Sequence, residues 1–319
     1  MRVVSLLPSA TEILFALGLD REIVGVSHEC DFPARARVKR VVIHSRLPHD
    51  APPAEIDRLV REYVSRGESL YSVDAEALAE LAPDLIITQD LCQVCAASPD
   101  DLAGTLARFS NLPEVLSLNP QDLGDVWRDI LWVGEATCRG HEAEALLKKI
   151  GTRLGELESQ IGGVESRPRV AILEWLQPFY VAGHWVPEMI ELAGGKDVLG
   201  RKRTPSFRVS ADEVIEAAPE ILFIAQCGYS AQQALDEYVA MSFPEEWTAI
   251  PAVRNSRVYA LNASGYFSRP GPRLISGIEA LAKIVHPEIV VGREAEGLVL
   301  PITAAPVLAV PSSGRAASA

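Results

Sequence analysis

Over the first third of the chain, short apolar runs alternate with stretches whose apolar positions recur at helical spacing. Residues 2–7 form the first run. A helix is expected from Ser9, where Glu12 three residues on completes a capping box and Gly18 supplies the stop. A second strand is expected over 23–27, and sequence rich in proline and charge follows from Pro33 to about Pro53. Helices are expected over 55–66 and 74–81, the second closed by Pro83. A buried strand over 85–88, a helix near 99–109 and a strand over 115–118 complete the series. Strands that alternate with helices pair in parallel, which predicts a three-layer α/β lobe over residues 1–119.

From Asn119-Pro120 the pattern becomes purely helical. Leu123, Val126, Ile130, Cys138, Leu146, Ile150, Leu154, Leu157 and Ile161 share one apolar face, and Gly162-Gly163 ends it. Residues 120–163 would span ~60 Å at ~1.5 Å per residue, long enough for a single backbone helix joining two lobes. Two helices broken near Gly134 or Gly140 are the alternative. The strand–helix rhythm resumes over 167–288, predicting a second α/β lobe, and residues 289–319, rich in Ala, Pro, Ser and Gly, are expected to be a disordered tail. An echo links the lobes: Asp74-Ala75-Glu76-Ala77-Leu78 leads to Pro83-Asp84-Leu85-Ile86-Ile87, and Ser210-Ala211-Asp212-Glu213-Val214 leads to Pro219-Glu220-Ile221-Leu222-Phe223. Matching offsets of cap, helix, proline and strand point to one structural unit used twice.

The net charge of −13 argues against nucleic acid and against an anionic membrane as partner, and suits a neutral or cationic small molecule. No run of about 20 apolar residues is present, so membrane insertion is not expected. The stretch before Pro8 is too short for a secretory leader. The sequence as written is therefore expected in the cytoplasm, and outside it if a leader has been removed. The odd count of five cysteines points to free thiols or metal ligation rather than to a disulfide framework.

Ligands of parallel α/β sheets bind beyond the carboxyl ends of the strands. Those loops here carry Ser9; His28, Glu29 and Cys30; Gln89, Asp90, Cys92 and Cys95; Glu174 and Trp175; His184 and Trp185; Cys227 and Tyr229; and Tyr266, Phe267, Arg269 and Arg273. Thiols, imidazoles and indoles gathered on one edge of both lobes imply a cleft between them. Each group has a second reading. Cys92-x-x-Cys95 is half of a zinc site, completed by His28 and Cys30, or a redox pair, or two packed thiols. Arg269 and Arg273 bind a ligand carboxylate or phosphate, or brace their loop. Glu174 is a ligand contact or a buried loop acid; His184 and Trp185 contact ligand or cap the next helix. No nucleophile elbow, phosphate loop or dinucleotide fingerprint is present, so no enzyme constellation emerges.

Five segments carry a resemblance: residues 5–12 (SLLPSATE), 24–33 (VGVSHECDFP), 81–86 (LAPDLI), 193–195 (AGG) and 268–273 (SRPGPR). Over residues 2–288 the chain resembles the cobalamin-binding and iron-siderophore-type solute-binding proteins of ABC importers. That resemblance implies a class III fold, two α/β lobes on a helical backbone, with cobalamin or a related metal chelate captured in the cleft and no catalysis. It also implies that one carboxylate per lobe docks on the permease, which falls here on Glu76 and on Asp212 with Glu213 adjacent; helix capping is the competing explanation, since each lies in the first turn of an expected helix. The cobalamin receptors cradle the corrin with aromatic side chains, where this chain has His28, Glu29, Cys30, Gln89, Asp90 and Ser206 beside Phe207. The cysteines keep open a cytosolic protein holding zinc or another transition metal, or an enzyme that remodels such a cofactor.

Overall fold

A computed structural model describes residues 1–48, 51–89, 99–107, 109, 111–164 and 166–309. The first sheet contains β1 (Val3–Ser5), β2 (Ile23–Ser27), β3 (Arg40–Ser45), β4 (Tyr71–Val73), β5 (Leu85–Gln89) and β6 (Glu114–Leu118) in the order β4-β3-β2-β1-β5-β6. All neighbours run parallel except β3 and β4. Its central strands are apolar on both faces, as parallel strands between two helical layers must be. Val3, Ile23, Leu85 and Ile87 pack towards α1 (Pro8–Ala16). Val4, Val42 and Ile86 face the opposite layer of α2 (Pro53–Ser65), α3 (Ala75–Leu81) and α4 (Pro99–Leu106).

The helical stretch after β6 is two helices, α5 (Leu123–Ala136) and α6 (Gly140–Ile161), not one rod over 120–163. The chain turns at Cys138, whose φ is 55°, and a side chain on Gly134 would meet Ala143 at 2.6 Å. The two helices therefore cross closely there and run back along each other. Cys138 is exposed at this turn, where an apolar-face position was expected. Ile130, Val133, Ala143 and Ile150 join the first lobe's core, while Leu123, Val126, Leu157 and Ile161 join the second lobe's. The hairpin thus belongs to both lobes, and the 22-residue α6 is the single helix that carries the chain across.

The second lobe contains β7 (Arg169–Leu176), β8 (Phe179–Val181), α7 (Val186–Leu192), β9 (Lys196–Asp197), β10 (Phe207–Arg208), α8 (Ala211–Ala217), β11 (Ile221–Ile224), α9 (Ala231–Ala240), β12 (Ser242–Phe243), α10 (Pro251–Arg254), β13 (Val258–Leu261), α11 (Ala263–Tyr266), α12 (Leu274–Val285), β14 (Val299–Pro301) and β15 (Val307–Leu308). Its sheet follows β10-β8-β7-β11-β13-β14, with β9 on β7 and a parallel core of β7, β11 and β13. Residues 289–309, expected to belong to a disordered tail, are structured. β14 pairs antiparallel with β13, β15 pairs with β12, and Ala295, Leu298 and Ile302 are buried. The apolar run Val299-Leu300-Pro301-Ile302 overrides a composition that otherwise suggests disorder.

The repeated unit recurs in its hydrogen bonds. In the first lobe the Arg2 N–H donates to Asp84 Oδ2 at 2.7 Å, and the Asp84 N–H returns to the Arg2 carbonyl at 2.8 Å. In the second, Arg169 donates to Glu220 Oε2 at 2.8 Å and Glu220 returns to the Arg169 carbonyl at 2.8 Å. Each arginine Nε also donates to the end of its helix, at Leu81 and at Ala218. Each helix stops on a left-handed alanine, Ala82 with φ 39° and Ala218 with φ 42°. Among the described residues no helix is long and apolar enough to cross a membrane.

Candidate functional site

Two loops at strand ends meet across the lobes. The loop from β13 to α12 brings Arg269 and Arg273 against the beginning of α1 and the segment after β2. Arg273 donates Nε to Glu12 Oε2 at 2.8 Å and Nη2 to Glu12 Oε1 at 2.5 Å, a bidentate pair. Its guanidinium lies 3.9 Å from the Phe32 ring and 4.8 Å from the Tyr266 ring, one aromatic from each lobe. Gly265 makes room, because a side chain there would lie 2.0 Å from Arg273 Nη2. Arg269 donates to Asp31 Oδ1 at 2.5 Å and to the Glu29 carbonyl at 3.1 Å. Burial pushes the Glu12 carboxyl up, and Arg273 with Arg269 behind it pulls it back. Two parallel N–H···O bonds give the geometry of an ion pair, so the lobes are tied together by opposite charges.

Beside this tie lies Cys227, at the end of β11. The residue is exposed, while burial around its sulfur and then the charge of Glu174 push the thiol up to about 11, with Glu29 adding to the rise and Ser268 and Arg269 opposing it. Cys227 lies where the strand-end loops of the two lobes meet, on the floor between them. Glu29 comes from the first lobe, and Glu174, Ser268 and Arg269 from the second, so both lobes build this floor. Trp175 and Tyr229 stand edge to face above the end of the second sheet, centroids 6.1 Å apart. The Tyr229 hydroxyl is pushed up to about 12 by burial and by Glu237. On the first lobe, His28 Nδ1 lies 3.1 Å from the Ile43 carbonyl, which only accepts, so this nitrogen carries the proton. Its Nε2 is 3.3 Å from Glu29 Oε1, and the ring is 6.2 Å from that of Tyr71.

The structure therefore brings together Glu29, Glu174, Trp175, Cys227, Tyr229, Tyr266, Arg269 and Arg273. Ser9 is buried at the start of α1, its Cβ 3.8 Å from the position a side chain on Gly271 would take. Gln89 is buried at the end of β5. Asp90, Cys92 and Cys95 lie outside the described residues.

Three expected contacts are instead interior. Cys30 is 4% exposed, packs in the first core and accepts a hydrogen bond from Thr11 Oγ1 at 3.0 Å; burial raises its pKa. It is thus a core thiol; of the expected donor set of His28, Cys30, Cys92 and Cys95, the last two lie outside the described residues. Among the described residues no group of three or more His, Cys, Asp or Glu side chains is placed to hold a metal. Trp185 and Phe267 are buried in the second core, joined by a 2.8 Å bond from Trp185 Nε1 to the Phe267 carbonyl. They brace the arginine loop from beneath. His184 stacks on Trp185 with centroids 5.6 Å apart, and burial lowers its pKa.

Sequence reasoning missed Glu12, Asp31 and Phe32. Glu12 was assigned to a capping box, but α1 is capped at Leu7 without a side-chain bond. An acid among the buried Ala10, Ile13 and Leu14 was itself the signal, because a buried carboxylate needs a cation. Glu76 and Asp212 are exposed in the first turns of α3 and α8, equivalent places in the repeat. Glu213 is held in the α8 capping box by Ser210.

Known proteins share this fold. An uncharacterised ABC-transporter substrate-binding lipoprotein of Bacillus subtilis is 24% identical over 294 residues, covering 90% of this chain and 80% of its own. The vitamin B12-binding protein of Vibrio parahaemolyticus is 25% identical over 288 residues, covering 87% and 86%. A periplasmic haem-binding protein of Pseudomonas aeruginosa superposes with a TM-score of 0.72 at 18% identity, covering 95% of this chain and 98% of its own, a likeness of fold. With a profile match over residues 3–264, the chain belongs to the periplasmic binding protein family, whose members bind solutes and are not enzymes.

Proposed function

We propose that this protein captures a corrinoid, cobalamin foremost, between its lobes and hands it to an ABC importer. The carrying observation is the meeting of strand-end loops from both lobes, where Arg269 of the second bonds to Asp31 and to the Glu29 carbonyl of the first beside the exposed Cys227. Trp175 and Tyr229, set edge to face, offer half-buried aromatic surface to a macrocycle. The acidic floor and the net charge of −13 suit a neutral or cationic ligand. The relatives named as vitamin B12-binding proteins and as an ABC-transporter lipoprotein favour the same reading. Glu76 and Asp212, one per lobe, are the carboxylates for docking on the permease, which sets the working protein outside the cytoplasm.

Titrating the purified protein with hydroxocobalamin, followed by corrin absorbance and calorimetry, tests this reading. Saturable one-to-one binding is expected. No heat and no spectral change up to millimolar ligand would overturn it. Saturable binding of haemin in place of hydroxocobalamin would also overturn it, in favour of haem.

A further inference from the structure

We propose that the inter-lobe cavity between α2 and the β7–β8 turn is a subsite for the tail of a complete corrinoid, an aromatic base joined to the macrocycle through a phosphodiester. This inference rests on the corrinoid reading and names which part of the ligand this cavity takes.

The cavity has a volume of about 440 Å³ and is walled by both lobes. Pockets of ~300–1,000 Å³ hold ligands of drug size. A whole corrinoid exceeds this space, whereas a base with its sugar and phosphate fits it. The walls from the second lobe are apolar: Leu176, Phe179 and Val209 are buried there, with Pro178 beside them. Phe179 is held rigid from behind, stacked on Trp247 with centroids 5.3 Å apart and 9° between the planes. A flat base buries its face well against such a wall.

The charges are placed differently. Arg61 of α2 and Arg208 of β10 line the same cavity from opposite lobes, and both are exposed. Arg61 is already paired with Asp57 at 2.8 Å, one turn away on α2. Arg208 makes no ion pair among the described residues. Two guanidiniums against one carboxylate leave a single net positive charge. That matches a phosphodiester, which carries one negative charge. It matches the two carboxylates of haem poorly, and a corrin stripped of its tail leaves Arg208 without an anion. Arg208, as a planar fork, is suited to two phosphate oxygens. The cavity therefore separates complete corrinoids from tailless ones, while the floor around Cys227 faces the macrocycle in either case.

The test compares cyanocobalamin with dicyanocobinamide, which lacks the tail, by calorimetry on the full chain. The wild-type protein is expected to bind cyanocobalamin at least about tenfold more tightly, the scale of one charge-assisted contact. Arg208→Ala should reduce that ratio about tenfold, and Arg208→Lys, which keeps charge but not the fork, should reduce it less. Thermal melts of the variants check that the exposed substitution leaves the fold intact. A wild-type ratio near one, or a ratio that Arg208→Ala does not change, overturns the tail subsite while leaving corrinoid capture standing. If neither corrinoid binds the wild-type protein, the corrinoid reading fails and this inference falls with it.

Discussion

The two lobes share a scaffold and differ in what they do with their strand ends. In each, an arginine opening a strand exchanges two hydrogen bonds with the acid that follows a helix–proline turn: Arg2 with Asp84, Arg169 with Glu220. The loops do not follow this symmetry. The first lobe turns its chemistry inward, with Cys30 in the core beneath Thr11 and Glu12 buried. The second leaves Cys227 open to solvent and sends two arginines across to the other lobe. A duplicated unit thus supplies the frame, and function enters through loops the duplication did not constrain.

The contrast between the thiols is the sharpest test. Under native conditions, iodoacetamide followed by site-resolved mass spectrometry should label Cys227 while sparing Cys30 by on the order of a thousandfold or more, since Cys30 reacts only through opening of the fold. Labelling of Cys227 should accelerate as pH climbs towards its pKa of about 11. Equal labelling of both would erase the distinction between the lobes.

Next in size is the tie between them. Glu12→Ala strands Arg273, whose side chain is 12% exposed, without its partner, and should cost about 3–5 kcal/mol in denaturant unfolding. A loss below about 1 kcal/mol would show that the lobes do not depend on this pair.

Asp129 of α5 is the opposite case, a buried acid facing the like charge of Asp125 with only Arg128 to offset it. Burial, then Asp125, pushes its pKa up to about 7 from an ordinary value near 4. The folded state keeps a proton that the unfolded chain releases, so the stability it confers is full below about pH 4 and lost as pH rises through 7. Asp129→Asn, neutral throughout, should therefore raise stability on the order of 2–4 kcal/mol at pH 8 and leave it unchanged near pH 4. Melting curves across that range decide the matter, and a pH-independent difference would refute the assignment.

The smallest effect probes the symmetry itself. Asp84→Ala and Glu220→Ala each remove an exposed acceptor and should each cost about 0.5–1.5 kcal/mol, equal within error. Markedly unequal losses would mean that the two units share geometry without sharing energetics.

Much of the frame was legible because its signals are local. α3 and β5 fall within a residue or two of expectation, since a cap, an apolar run and a proline bound them. β3 and β4 were missed. The polar Arg40, His44 and Arg46 obscure Val42 and Ile43, which are buried only because β2 lies beside them. β14 was missed for the same reason, being a strand only where β13 is available to pair with it. For the candidate site, sequence placed residues at strand ends but could not tell which way each faced. Cys30, Trp185 and Phe267 sit in loops like Cys227 and Tyr229, yet packing took them into the interior.

By itself, then, the sequence determined two α/β units, their internal repeat and the loops where polar and thiol chemistry gathers, because periodicity, caps and turns act between near neighbours in the chain. Only the tertiary structure decided that Arg273 meets Glu12 across 261 residues, that Cys30 is core while Cys227 is accessible, and that Arg61 and Arg208 share one cavity. Burial and charge pairing depend on which surfaces touch after folding, and no spacing along the chain encodes that.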